Sequence, residues 1–109
     1  MSKINLTHKD KEYTLEYSRQ SVKTMEQQGF VLDELTSKPM TMIPMLFQGA
    51  FIKNHQGKIK RKEMDEIYKG IGNRSALMEA LMEMYAETLS TLMDDDVEEA
   101  GNVSWALVR

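Results

Sequence analysis

Five carboxylates fill six positions in Asp94-Asp95-Asp96-Val97-Glu98-Glu99, the densest set of ligand-type side chains in the sequence. Hard oxygen donors at that density are what a divalent cation takes. The spacing does not follow the calcium-loop pattern, and no glycine sits mid-run to turn the chain around an ion. A solvated linker is therefore the expectation here. A second charged group has the opposite sign: Lys58, Lys60, Arg61 and Lys62, with Lys53 nearby. Its chemistry would be contact with nucleic acid or an acidic partner. No aromatic residue is interleaved, so base stacking has no platform. A solvated connector, or pairing with the acidic run of a neighbouring copy, are the other readings.

The two histidines, His8 in an expected turn and His55 near a helix end, have no Ser, Asp or Glu at a spacing that points to a proton relay. Both are expected at the surface. Gly57-Lys58 has no further glycine pattern around it, and Gly70 and Gly72 stand isolated, so no phosphate loop is present. With no cysteine there is no disulfide, no thiolate metal site and no thiol nucleophile. None of these residues supports catalysis, and no cofactor or metal is expected.

Methionine is the residue type that stands out. Ten of them outnumber the three Phe, four Tyr and one Trp together. Met is unbranched and polarizable, so it fills irregular gaps or forms adaptable binding surfaces. Met25, Met64 and Met84 fit helix core positions. Met40, Met42, Met45, Met78 and Met82 are the surplus. They form either ordinary core or a deformable apolar face that accepts a partner helix. The candidate partner-binding residues are Met40, Met42, Met45, Phe47 and Phe51, with Met78 and Met82 as a second set.

The elements that must position these side chains belong to one domain, residues 1–109, of the α+β class. Ile4 and Leu6, then Tyr13, Leu15 and Tyr17, alternate with polar residues around His8–Lys11. That period of two predicts a β-hairpin over 3–17, with strands Lys3–Thr7 and Glu12–Tyr17. A mainly helical part of about four helices follows over 18–93. Ser18 is a candidate N-cap and Gly29 a candidate C′ stop, with Phe30 as its hydrophobic contact. One further helical turn is expected near Val31–Leu35. Ser37 or Thr36 caps the next helix with Pro39 in its first turn, unless Pro44 forces a fresh start near Ile43. Gly49 and Ala50 allow close helix packing. A short helix over Glu63–Lys69 precedes the strongest periodic signal, Ser75–Met93, where Leu77, Leu81, Met84, Tyr85, Thr88, Leu89 and Leu92 share a face. An acidic linker and an apolar tail, 94–109, complete the reading, with Val103–Val108 as a late strand or docking segment.

Net charge is −3, which argues against general affinity for a polyanion. The longest mostly apolar stretch, Pro39–Ile52, is too short to span a bilayer. Met1–Asn5 lacks the apolar core of a signal peptide. The expectation is a cytoplasmic, non-redox protein that binds neither nucleic acid nor membrane.

Several stretches together resemble a family of small proteins from phages and prophages of Gram-positive bacteria. They are the hairpin Lys3–Tyr17, the run Tyr17–Phe30, Lys38–Pro44, Phe47-Gln48-Gly49-Ala50-Phe51, and Gly101-Asn102-Val103-Ser104-Trp105. Such proteins look like the tail assembly chaperones of long-tailed phages, and the resemblance covers nearly the whole chain. It implies a factor in the host bacterial cytoplasm that coats the helical, aggregation-prone tape measure protein and recruits major tail tube protein around it. It also implies self-association into a homo-oligomer, and carries over no particular contact residue. A structural head–tail connector or tail component, and a small nucleic-acid-binding regulator, are the alternatives.

Overall fold

In the computed structural model, which describes residues 2–93 and 104–108, an N-terminal hairpin packs on a helical body. Strands β1 (Ile4–His8) and β2 (Lys11–Leu15) pair antiparallel, with Ile4 opposite Leu15 and Leu6 opposite Tyr13. Both residues of the turn, Lys9 and Asp10, take positive φ, 50° and 66°. Those values match the twist a two-residue hairpin loop needs, without the glycine that usually supplies it. The register gathers Ile4, Leu6, Tyr13 and Leu15 on one face, and Leu15 is completely buried.

Helix α1 (Arg19–Gln27) begins at Ser18. The Ser21 N–H donates to Ser18 Oγ (3.1 Å) and the Ser18 N–H to Ser21 Oγ (2.8 Å), a reciprocal cap with Ser at the third position. It stops at Gly29, φ 100°, where the Phe30 N–H reaches back to the Met25 carbonyl (3.0 Å) and the Gly29 N–H to Glu26 (3.0 Å). A single 3₁₀ turn, Leu32–Glu34, follows.

Helix α2 (Pro39–Gly49) runs unbroken through Pro44, which decides against a fresh start at Ile43. Neither Ser37 nor Thr36 caps it. Lys38 holds the cap position, and its carbonyl accepts from the Met42 N–H (2.9 Å). Pro44 removes the donor that would have paired with the carbonyl of Met40, in the first turn, so a single early bond is lost. Then come the short α3 (Ile52–His55), α4 (Arg61–Gly70) and the long α5 (Arg74–Ser90). Of the expected stripe on α5, Leu81, Met84, Tyr85 and Thr88 are buried and Leu77 and Leu89 half-buried. Leu92 lies past the helix end and is exposed.

The core has two aromatic groups. Tyr85 meets Tyr17 and Phe30 edge-on at 5.5 and 5.1 Å. Phe47 meets Phe51 and Tyr68, both at 5.2 Å, and Phe51 meets Tyr13 at 5.8 Å. Such pairs add about 0.5–1.5 kcal/mol each beyond their buried area.

The end of α2 is tied to the chain leaving the hairpin. The Ala50 N–H pairs with Phe47 rather than Leu46, tightening the last turn. The freed Leu46 carbonyl accepts from the buried Tyr17 hydroxyl at 2.6 Å, and the Ala50 carbonyl accepts from the Glu16 N–H at 3.0 Å. These bonds answer the orphan carbonyls of a helix C-terminus. Burial pushes the Tyr17 hydroxyl well above its ordinary range, so it stays a donor. Tyr17→Phe is expected to strand the Leu46 carbonyl and lower unfolding free energy by about 1–3 kcal/mol in urea titration. An unchanged midpoint would mean that carbonyl finds another donor.

Candidate functional site

The seven candidate residues do not form one surface. Met42 (5% exposed), Phe47 (1%) and Phe51 are core, and correct the expectation that they face a partner. The Met42 Sδ accepts from the Val31 N–H at 3.5 Å, so this methionine pins the 3₁₀ turn onto α2. Met40 stands 89% exposed in the first turn of α2. On α5, Met78 is half-buried and Met82 is 36% exposed, and neither lines the cleft that opens between α2 and α4. Met45 alone of the seven does.

That cleft, about 890 Å³, opens between α2 and α4. Thr41, Pro44, Met45 and Gln48 face it from α2 at spacings of three and four, the pattern of a single helix face. Ile52 follows from α3, and Arg61, Met64 and Asp65 face it from α4. Pro44, Met45, Ile52 and Met64 give it an apolar floor. Met64, expected in the core, is half-buried, packing against the core cluster on one side and lining the cleft on the other. The Gln48 Nε2 donates to Asp65 Oδ1 at 3.3 Å, an exposed bond that links the two helices.

The basic stretch meets the cleft only through Arg61, with Lys58, Lys60 and Lys62 lining a separate depression, and its composition differs from the expectation. Lys53 leaves it: its Nζ sits 2.9 Å from Glu16 Oε2. The Lys53 ammonium, with the Asn54 amide at 3.1 Å, holds the Glu16 carboxyl below its usual range against opposing desolvation. Lys58, Lys60, Arg61 and Lys62 remain, all exposed. The last three occupy the N-cap and first two positions of α4, with no side-chain cap. Cations at the positive end of a helix dipole oppose it, each by about 0.3–1 kcal/mol. Glu63 in the first turn offsets part of that.

His55 corrects the surface expectation. It is half-buried beside Tyr13 (5.2 Å between rings), and its Nε2 accepts from the Thr14 N–H at 2.9 Å. Accepting there requires the neutral ring with its proton on Nδ1. The Asn54 Nδ2 donates to the Thr14 carbonyl at 3.2 Å. Together His55 and Asn54 satisfy both backbone groups of Thr14 on the outer edge of β2, which would otherwise be open to another strand there. Both are structural, and both were invisible as such in the sequence, because the pairings link residues about forty positions apart.

A second apolar depression, about 430 Å³, lies between α1 and α5 over Val22, Leu89 and Leu92. Arg19 crosses its rim, donating from Nε to Thr91 Oγ1 at 3.0 Å and from the guanidinium to the Thr91 carbonyl. The acidic run 94–99 lies outside the described residues. Residues 104–108 have no regular secondary structure, and Trp105 (87%), Leu107 and Val108 are exposed. Among the described residues no cluster of His, Asp or Glu could hold a metal, and no helix is long and apolar enough to cross a membrane.

These features define a small α+β domain with open, apolar-floored clefts between its helices. The chain belongs to the family described as Domain of unknown function (DUF5055), which matches residues 1–108. No curated protein and no solved structure matches the chain.

Proposed function

We propose that this chain is a phage tail assembly chaperone that seats amphipathic helices of a tape measure protein in the cleft between α2 and α4. The observation that carries the reading is the pair Met45 and Met64, half-buried on two different helices and lining one cleft. Unbranched thioethers there repack around client side chains of varied shape, which a long helical client with no repeated motif demands. An amphipathic helix buries its apolar face against such a floor and leaves its polar face to Gln48, Arg61 and Asp65 on the rim. Modest affinity per site becomes firm coating when many copies line one client. The resemblance of the hairpin, the Tyr17–Phe30 run and the Gly101–Trp105 stretch to tail assembly chaperones supports the same reading. On it the protein is not an enzyme, works in the host bacterial cytoplasm, self-associates, and delivers major tail tube protein to the coated client.

The cleft names Met45 and Met64 as the residues to test. Met42 belongs to the core, so a charge there unfolds the domain instead of reporting on binding. Met45→Glu with Met64→Glu, both at half-buried positions, is expected to weaken capture of a tape measure fragment at least tenfold, about 1.4 kcal/mol. The melting point should move little. Calorimetric titration against the fragment checks the first and circular dichroism the second. Undiminished affinity in a folded double variant would sink the cleft as the client site.

A further inference from the structure

We propose that the same α2/α4 cleft is occupied, in the absence of client, by the C-terminal segment of a second copy of this chain. The inference rests on the reading of that cleft as a helix-accepting site and adds its regulation. Trp105, Leu107 and Val108 are exposed apolar side chains within a few residues of one another, standing clear of their own domain. Trp and Leu are the kind of anchor that fills a pocket between helices. The cleft floor of Pro44, Met45, Ile52 and Met64 presents apolar surface in need of such a cover.

Charge sets the partner and the direction. Upstream of Trp105 the sequence carries Asp94, Asp95, Asp96, Glu98 and Glu99. Of the basic stretch, Arg61 lines the cleft wall, while Lys58, Lys60 and Lys62 line a separate depression at the same end of α4. Asp65 lines the cleft with Arg61, and Glu63 and Glu66 stand among the other cations. Glu66 lies 3.9 Å from Lys9, however, so four cations against three carboxylates keep this end of α4 positive. Three of the four cations crowd the N-terminus of α4, where they oppose the helix dipole, and an incoming acidic segment relieves that repulsion. The six residues from Glu99 to Trp105 reach at most about 20 Å when extended, so anchors in the cleft and carboxylates on the neighbouring patch are compatible with one strand of chain. The client helix and the partner's segment then compete for one floor, and client binding dissolves the self-associated form.

The test uses the single tryptophan of the sequence, Trp105, as its own reporter. In the full-length chain at tens of micromolar, its emission should be blue-shifted, and both the shift and the associated species seen by sedimentation should disappear on dilution. Raising salt should weaken association, since exposed charges are screened. Trp105→Glu should abolish association, and Met64→Glu should weaken it at least tenfold. Lys62→Glu should weaken it several-fold while raising the melting point, opposite signs that a purely structural role for Lys62 does not produce. A blue shift that is independent of concentration in a monomer would place the segment on its own domain and overturn the proposal. So would solvent-like emission at every concentration, or association that survives Trp105→Glu. The client reading is judged separately, because the Trp105→Glu chain should still capture the tape measure fragment whatever the self-association result.

Discussion

Phe47→Ala is expected to lower the unfolding free energy by about 3–5 kcal/mol, the usual range for removing a buried phenylalanine. Phe47 is 1% exposed and joins α2 to two other elements through its ring, meeting Phe51 and Tyr68 at 5.2 Å each. Truncation leaves a void bounded by rings that are held from behind. Phe51 is fixed by Tyr13 at 5.8 Å, and the guanidinium of Arg74 lies 5.4 Å over the Tyr68 ring. The site therefore collapses poorly, which favours the upper half of that range. A domain of this size has only about 5–15 kcal/mol in total, so the variant should melt far below the wild type or fail to fold at 37 °C. Urea titration followed by circular dichroism checks it. Phe47→Leu, which keeps most of the apolar volume, should recover a large part of the loss. If Phe47→Ala kept full stability and lost client capture instead, Phe47 would be a contact residue and the core described above would be wrong.

The same residue shows where reading the sequence stopped. In Pro39–Gly49 apolar side chains stand on every side of the helix, so periodicity cannot separate Met42 and Phe47, which are buried, from Met40, which faces solvent. On α5 the polar positions Glu79, Glu83 and Glu87 mark the outer face, and the buried set Leu81, Met84, Tyr85 and Thr88 followed from spacing alone. Local chemistry was readable at α1, though not at the start of α2, where Lys38 and neither Thr36 nor Ser37 holds the cap position. The Ser18 cap and the Gly29 stop each depend on bonds within three to five residues, and both are present. What was not readable is long-range. His55 accepting from Thr14, and Tyr17 donating to Leu46, depend on how α3 and α2 meet the hairpin, which no window of sequence contains.

For the candidate site the division follows the same line. Met45 emerged from composition because Met is rare enough to draw notice and sat in an element with too many of them. Its partner across the cleft, Met64, was read as core, since a half-buried methionine on an amphipathic helix has the same spacing as a buried one. Only the position of α4 relative to α2 separates the two. The basic stretch was visible as charge, but Lys53 left it on pairing with Glu16, a partner 37 positions away. Of the remaining four cations, Arg61 lines the cleft and Lys58, Lys60 and Lys62 line a separate depression at the start of α4.

Gly49 supplies the second large effect, and its sign runs against ordinary helix chemistry. Replacing a helical glycine with alanine normally gains up to about 1 kcal/mol. Here a Cβ on Gly49 would overlap the Met25 Sδ and sit 2.8 Å from its Cγ. A methionine end usually swings aside, but Met25 is 1% exposed, with the core of α1, α2 and α5 around it. Space for the new methyl must come from separating α1 and α2 or from forcing Met25 off its rotamer, an overpacking cost of about 1–3 kcal/mol. Gly49→Ala is therefore expected to destabilise, and Gly49→Leu to prevent the native core from forming. The cause is separable by a double-mutant cycle. Met25→Ala on its own should cost about 2–5 kcal/mol through its cavity. In that background Gly49→Ala should become neutral or stabilising, because the methyl then enters vacated space and the helix propensity gain returns. A coupling of at least about 1 kcal/mol between the two positions, measured by urea titration of all four proteins, is the expected result. Stabilisation by Gly49→Ala in the wild-type background would mean that α1 and α2 lie farther apart than described. The close approach of these two helices would then lose its basis, and with it the reason for a glycine at position 49.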